Sequence, residues 1–144
     1  LTVQSSEPAL IDCVDEGLWE RLVKNLVHNA IKFTEEGSVA VLLEGDAETV
    51  QLQVADTGIG IPEELQSVIF EAFKQASSGL SRDYEGSGLG LTIVQRIVRM
   101  LNGQIYVESQ PGIGSIFTVI IPRCRSDAAA TRATTNGTSQ HQQV

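Results

Sequence analysis

One stretch constrains the fold of this 144-residue chain more than any other, because a strand pattern runs directly into a glycine-rich bend. From Thr49 to Ala55, apolar residues alternate with polar ones, which predicts a β-strand with one buried face. Asp56–Pro62 follows, with the sequence Asp-Thr-Gly-Ile-Gly-Ile-Pro. Glycine permits unusual backbone angles and close approach of a ligand, and proline suits the first turn of a helix. An acid is therefore predicted at the rim of a sheet beside a possible pocket; a simple Asx-turn at Asp56 is the alternative.

Composition indicates a single folded domain and argues against some partners. Hydrophobic residues make up 42% of the chain, and a net charge of −8 argues against nucleic acid as the main partner. Cys13 and Cys124 are too isolated for a disulfide framework or a zinc site, which suits a reducing compartment. No apolar run reaches the roughly 20 residues that cross a bilayer. Because the chain opens on Leu1 rather than methionine, we expect a piece of a longer protein.

The remaining patterns predict further helices and strands. Apolar residues at helical spacing predict long helices from about Asp15 to Phe33 and from Leu89 to Leu101, and Pro62–Phe70 could form a short one. Residues 71–85 lack periodicity and predict a mobile loop, while the polar composition of 125–144 predicts a disordered tail after a domain at 1–124. The other predicted strands are Leu1–Gln4, Ala9–Val14, Val39–Leu43, Ile105–Ser109 and Ser115–Ile121.

The first long helix has an unusual polar face. Asn25, Asn29 and Lys32 stand at i, i+4 and i+7, which places them within roughly 60° of one another around the helix. An amide oxygen is a hard, neutral ligand suited to Mg²⁺, and a lysine can neutralise phosphate. A merely solvated face, or amides that cap a neighbouring loop, would give the same pattern.

A second glycine-rich segment, Gly86–Leu91, opens the second long helix. Free N–H groups and the positive end of the helix dipole attract anions at such a terminus, and glycines let a phosphate approach the backbone. A flexible hinge would explain the same glycines. The segment matches neither a P-loop nor a Rossmann turn, since both the spacing and the context differ.

Together these stretches resemble the ATP-binding catalytic domain of sensor histidine kinases, a fold shared with gyrase B, ninety-kilodalton heat-shock chaperones and mismatch-repair ATPases. The resemblance extends from Asp15 to Pro122 and implies a two-layer α/β sandwich of the Bergerat type. That fold has one mixed sheet of about five strands with about three helices on one face. The motifs stand in the family's order: the N box Asn25–Thr34, first glycine box Asp56–Gly60, F box Phe70–Phe73, second glycine box Gly86–Leu91 and weaker glycine segment Gly112–Ser115.

The resemblance also implies a site for ATP and Mg²⁺. Asp56 would accept a hydrogen bond from the adenine amine, which suits a carboxylate because it can only accept. Asn29 would coordinate Mg²⁺, and Asn25, Lys32 and Arg82 are the expected catalytic groups at the phosphates. Lys74 is a second candidate γ-phosphate cation, although a solvated lysine in the lid is the alternative. The remaining expected nucleotide contacts are Phe33, Gly58, Gly60, Ile61, Phe73, Gly86, Ser87, Gly88, Leu89, Gly90, Leu91 and Ser115.

One departure from the family pattern within the N box bears on the mechanism. Relatives that hydrolyse ATP have a glutamate four residues before the magnesium asparagine, whereas this chain has Asn25, which cannot act as a general base near neutral pH. The resemblance therefore implies transfer of the γ-phosphoryl group to a histidine on a separate dimerisation hairpin, and onward to the receiver domain of a response regulator. Neither His28 nor His141 has the sequence context of that acceptor. The chain begins where the dimerisation hairpin would end, so we expect it to be monomeric.

Two other functions are open for the same motifs. A non-catalytic module could sense adenine nucleotides and report to a partner through its lid. A serine kinase of the anti-sigma type would use the same fold. The F-box residues Phe70 and Phe73 favour the histidine kinase, because the serine kinases usually lack that motif.

Overall fold

The computed structural model describes residues 2–5, 14–71 and 89–123, and these residues build one sheet flanked by helices. Predictions for 6–13, 72–88 and 124–144, including most of the Ala9–Val14 strand, the loop and the tail, lie outside the described residues. Within the described residues, no helix is long and apolar enough to span a bilayer. The elements are β1 (Thr2–Ser5), α1 (Glu16–Lys32), β2 (Val39–Gly45), β3 (Thr49–Asp56), α2 (Glu63–Gln66), α3 (Gly90–Met100), β4 (Gln104–Gln110) and β5 (Gly114–Pro122).

The described strands form a mixed five-stranded sheet in the order β1-β2-β3-β5-β4. β1 pairs with β2 in parallel, and the other neighbours are antiparallel. After the central strand β3, the chain passes through α2 and α3 and returns to the sheet at the edge strand β4. The predicted mixed α/β sandwich is confirmed.

One face of the sheet is apolar, and the helices cover it. Val41, Val54 and Phe117 lie side by side across β2, β3 and β5, and Leu52 and Val119 form the next rank. Full burial of each such side chain contributes about 1.5–3 kcal/mol. All three helices contribute to this core: Leu22, Leu26 and Ala30 from α1, Leu65 from α2, and Val94, Ile97 and Val98 from α3.

A third rank of side chains on the same face is polar. Side chains two residues apart along a strand share a face, so Asp56 follows Val54 on β3 and Ser115 precedes Phe117 on β5. Ser109 of β4 pairs with Ser115 in the register. We call Asp56, Ser115 and Ser109 the polar rank. Its members lie where the helix-facing side of the sheet ends, so the apolar core stops there.

The helix α1 is fixed at both ends. Asp15 caps its first turn, with Oδ1 accepting a hydrogen bond from the Leu18 N–H at 2.9 Å. Glu16 near the start and Lys32 near the end complement the helix dipole. The predicted bounds, about Asp15 to Phe33, are confirmed, and burial of Leu22, Leu26 and Ala30 determines which face of the helix carries the N-box amides.

Candidate functional site

Asp56 is the last paired residue of β3, and its side chain is held by a backbone N–H group. It was predicted just beyond the strand, but pairing with both neighbours extends the strand to include it. Its Oδ1 accepts a hydrogen bond from the Gly58 N–H at 2.9 Å, as in an Asx-turn. A carboxylate has about four acceptor positions. The Asx-turn therefore orients the acid and leaves acceptor capacity for a ligand.

Burial sets the ionisation of this acid. Desolvation raises the pKa of Asp56 above its ordinary value, although the Gly58 and Ser115 N–H groups oppose the shift. Asp46, in the exposed turn between β2 and β3, shows the reverse. Backbone N–H groups of Glu48 and Thr49 lower the pKa of Asp46. Asp56 is thus an under-solvated carboxylate, which a ligand bearing an N–H group would help to solvate.

These opposite shifts predict opposite effects of charge removal on stability. A carboxyl group whose pKa is raised in the folded state stabilises the fold at pH values below its unfolded pKa, about 3.9 for aspartate. That stabilisation is lost as the pH rises through the folded-state pKa. Asp56→Asn should therefore leave the fold at least as stable near pH 7, and the difference should shrink as the pH falls through the folded pKa. Asp46→Asn makes the same change in net charge but should destabilise near pH 7, because a lowered pKa stabilises above 3.9. Urea unfolding at several pH values measures both; a larger loss at neutral pH for Asp56→Asn than for Asp46→Asn would contradict the prediction.

Within the polar rank, the side chains of Ser115 and Ser109 contact each other. Ser115 is buried, with 6% of its surface exposed, and its Oγ lies 2.9 Å from Ser109 Oγ. Ser109 Oγ also accepts a hydrogen bond from the Ile61 N–H at 2.8 Å. Sequence reasoning included Ser115 and Ile61 but missed Ser109, whose place beside Ser115 becomes visible only from the β4–β5 register.

The bend after β3 packs against the chain's own backbone. The Ile59 N–H donates to the Phe33 carbonyl at 3.1 Å, which ties the bend to the end of α1. A Cβ on Gly58 would lie 2.1 Å from the Phe33 oxygen, and one on Gly60, where φ is +70°, would lie 2.1 Å from the Gln110 oxygen. Intramolecular contact therefore requires glycine at both positions, independently of any ligand.

The two N-box amides face the first turn of α3. A Cβ on Gly90 would lie 3.4 Å from Asn25 Oδ1 and 3.6 Å from Asn29 Oδ1. Asn25 Nδ2 donates to the Arg21 carbonyl at 2.7 Å, which orients the amide along α1. Among the described residues, the Asn25 oxygen has no hydrogen-bond partner. Within the described part of the chain, the Asn29 amide has no hydrogen-bond partner. Two amide oxygens thus lie beside a helix N-terminus, an arrangement that fits a cation bound to an anion.

Other predicted contacts have different surroundings. The Lys32 ammonium lies 5.3 Å from the centroid of the Phe33 ring, a cation–π contact at the end of α1. Leu89 is the N-cap of α3, and the side chains of Ile61 and Leu91 are partly buried against the core. The predicted residues outside the described ranges are Phe73, Lys74, Arg82, Gly86, Ser87 and Gly88.

Described residues on either side of 72–88 contact the core and each other beside the site. The Phe70 ring packs edge-on against the ring of Phe117, with 6.4 Å between centroids. Thr92 Oγ1, in the first turn of α3, donates to the Phe70 carbonyl at 3.1 Å. The start of the F box is therefore anchored in the core and held against the helix that faces the amides.

The chain belongs to the family of histidine kinase-, DNA gyrase B- and HSP90-like ATPases, whose model matches residues 14–125. Among its curated relatives is the autoinducer 2 sensor kinase/phosphatase LuxQ of Vibrio cholerae serotype O1, which is 53% identical over 107 residues. That match covers 71% of this chain and 12% of LuxQ, so the chain spans a small part of the relative.

Solved structures of histidine kinases have the same fold. Full-length ShkA in complex with AMPPNP matches with a TM-score of 0.73 and 34% identity, covering 84% of this chain and 25% of ShkA. The catalytic domain of the histidine kinase ThkA, in a nucleotide-free form, matches with a TM-score of 0.70 and 30% identity. That match covers 84% of this chain and 78% of the ThkA chain.

Proposed function

We propose that this chain binds Mg-ATP and transfers the γ-phosphoryl group to a histidine on a separate dimerisation hairpin. The observation that carries the proposal is that α1 borders both halves of the site. Its amides Asn25 and Asn29 face the start of α3, and its end at Phe33 bonds the bend that follows Asp56. ShkA, a structural relative, was crystallised with AMPPNP. An acceptor for a base at one end and ligands for phosphate and metal at the other match an adenine nucleotide.

Different residues of the chain bind the base, the phosphates and the metal. Asp56 accepts a hydrogen bond from the exocyclic amine of adenine and is pre-oriented by the Gly58 N–H group. The free N–H groups at the start of α3 bind phosphate oxygens, and Asn29, with Asn25 beside it, supplies a neutral oxygen ligand for Mg²⁺. When bound, the Mg²⁺ ion supplies positive charge beside the phosphate oxygens.

The position of Asn25 favours transfer over hydrolysis. An amide cannot take a proton from water near neutral pH, so this side chain does not activate water against ATP. In the proposed transfer, an imidazole nitrogen of the acceptor attacks the γ-phosphorus. The P–N bond forms as the P–O bond to ADP breaks, and the imidazole proton passes to solvent. The protein contributes positioning and charge stabilisation, which dominate phosphoryl transfer.

The proposed partners follow from the sensor-kinase relatives and from charge. They are a dimerisation hairpin that carries the acceptor histidine and the receiver domain of a response regulator, both in the cytoplasm. A net charge of −8 argues against nucleic acid. We propose that the chain alone is a monomer, because dimerisation belongs to the hairpin.

A phosphotransfer assay distinguishes the three candidate activities. The chain is incubated with γ-labelled Mg-ATP, alone and with a dimerisation hairpin from a sensor-kinase relative. A histidine kinase should label the hairpin with acid-labile phosphate and leave the chain itself unlabelled. ATP binding without transfer would favour the nucleotide sensor, and acid-stable label on a protein hydroxyl would favour the serine kinase. Stable acid-labile phosphate on the chain alone would contradict the proposed separation of acceptor and donor.

A further inference from the structure

The hydroxyl group of Ser109 has three polar neighbours and one proton. Its Oγ lies 2.8 Å from the Ile61 nitrogen, 2.8 Å from the Gly114 carbonyl oxygen and 2.9 Å from Ser115 Oγ. The Ile61 N–H can only donate and the Gly114 carbonyl can only accept. Ser109 therefore gives its proton to Gly114 and receives one hydrogen bond from Ile61.

These hydrogen bonds determine the direction in which the Ser115 hydroxyl donates its proton. Since Ser109 has already used its own proton, the contact between the two hydroxyls requires Ser115 to donate. A serine oxygen accepts two hydrogen bonds, and Ser109 Oγ is then fully used by Ile61 and Ser115. Ser115 has no proton left for a ligand and keeps only its lone pairs. Beside it in the register lies the carboxylate of Asp56, which is also an acceptor.

The position of Ser109 is itself fixed from the protein side. Gln66 of α2 donates through Nε2 to the Ser109 carbonyl at 3.0 Å and to the Ile61 carbonyl at 2.9 Å. One side-chain amide of α2 thus bonds both β4 and the bend after β3. The hydroxyl of Ser109 cannot easily turn away from Ser115, because the backbone on both sides is held.

We propose that Ser109 is a positioning residue that makes the base-binding end of the site acceptor-only and so selects 6-aminopurines over 6-oxopurines. This inference rests on the proposed nucleotide function. The adenine amine offers two N–H groups to Asp56 and Ser115. Hypoxanthine presents a carbonyl oxygen at that place, which meets two acceptors and finds no donor. Without Ser109, the Ser115 hydroxyl can rotate and donate to that oxygen.

The test compares the affinities of Mg-ATP and Mg-ITP by displacement of a fluorescent nucleotide. The wild-type chain should prefer ATP, and Ser109→Ala should reduce that preference by about fivefold, the fold-change for one hydrogen bond. Ser109→Thr keeps the hydroxyl and should keep the wild-type ratio. Ser67→Ala, at an exposed serine of the α2 end, is the matched control and should change neither affinity.

A double-substitution cycle separates positioning from general structural damage. In a Ser115→Ala background, Ser109→Ala should change the ATP to ITP ratio by less than about twofold, because the hydroxyl on which it acts is absent. Equal ratios in wild type and Ser109→Ala, or equal changes with and without Ser115, would overturn the inference. If Ser109→Ala does not fold, Ser109→Cys replaces it, since a thiol sulfur is only a weak acceptor for the Ser115 hydroxyl; a wild-type ratio in Ser109→Cys would also overturn the inference.

The proposed function and this inference fail in different ways. Absence of saturable Mg-ATP binding by the folded wild-type chain would remove the proposed function. Binding of Mg-ATP and Mg-ITP with equal affinity by the wild-type chain would leave the nucleotide function in place and remove the role of Ser109.

Discussion

Replacing Asp56 with alanine is expected to weaken Mg-ATP binding by about 1–3 kcal/mol. The half-buried carboxylate is oriented by the Gly58 N–H group, so its acceptor positions are fixed before a ligand arrives. Alanine would leave the adenine amine without this partner in a partly desolvated place. Isothermal titration calorimetry on the two proteins measures the difference, and circular dichroism checks that the variant is folded.

Asp46 provides the matched control for this substitution. It is also an aspartate that binds backbone N–H groups in a turn next to β3, but it lies at the opposite end of the strand. Asp46→Ala should therefore leave ATP affinity unchanged. Wild-type ATP affinity in Asp56→Ala would show that the assignment of Asp56 to adenine is wrong.

Replacing Asn29 with alanine is expected to reduce phosphoryl transfer to the acceptor histidine by about 10²–10³-fold, the usual loss when a charge-stabilising group is removed. The same variant should bind ATP with little dependence on Mg²⁺. The Asn29 amide has no hydrogen-bond partner within the described residues and lies beside the start of α3, so its removal leaves the core intact. Transfer in the two-protein assay and calorimetry with and without Mg²⁺ measure the two effects.

The neighbouring residue supplies the control for Asn29. His28→Ala changes an exposed side chain on the same helix and should leave both transfer and Mg²⁺ dependence unchanged. Unaltered Mg²⁺ dependence in Asn29→Ala would assign the metal to another ligand. Loss of transfer in His28→Ala would point instead to a role for His28 that the proposed site lacks.

Local sequence patterns predicted much of the fold. The alternation along Thr49–Ala55 and the helical spacing within α1 each reflect burial of one face, which is why their bounds differ from the structure by few residues. Asp56 was placed correctly at the rim of the sheet. It was not recognised as a paired strand residue, because that depends on Val39 and Ser115, which are far away in sequence.

Contacts between distant segments could not be predicted in the same way. Ser109 is one of several polar residues on β4, and only the register against β5 places it beside Ser115. The reason for glycine at positions 58 and 60 was likewise hidden, since it lies in the carbonyl groups of Phe33 and Gln110. A pattern along one strand shows which face is buried, whereas the neighbours on that face depend on the pairing of strands.

Calorimetric titration of the folded wild-type chain with ATP, in Mg²⁺ and again in excess chelator, tests the central claim most directly. The arrangement of Asp56, Asn25, Asn29 and the start of α3 predicts saturable binding at one site, weakened when Mg²⁺ is removed. An absence of saturable heat at high protein concentration, supported by an equally negative equilibrium dialysis, would contradict a nucleotide site at this end of the sheet.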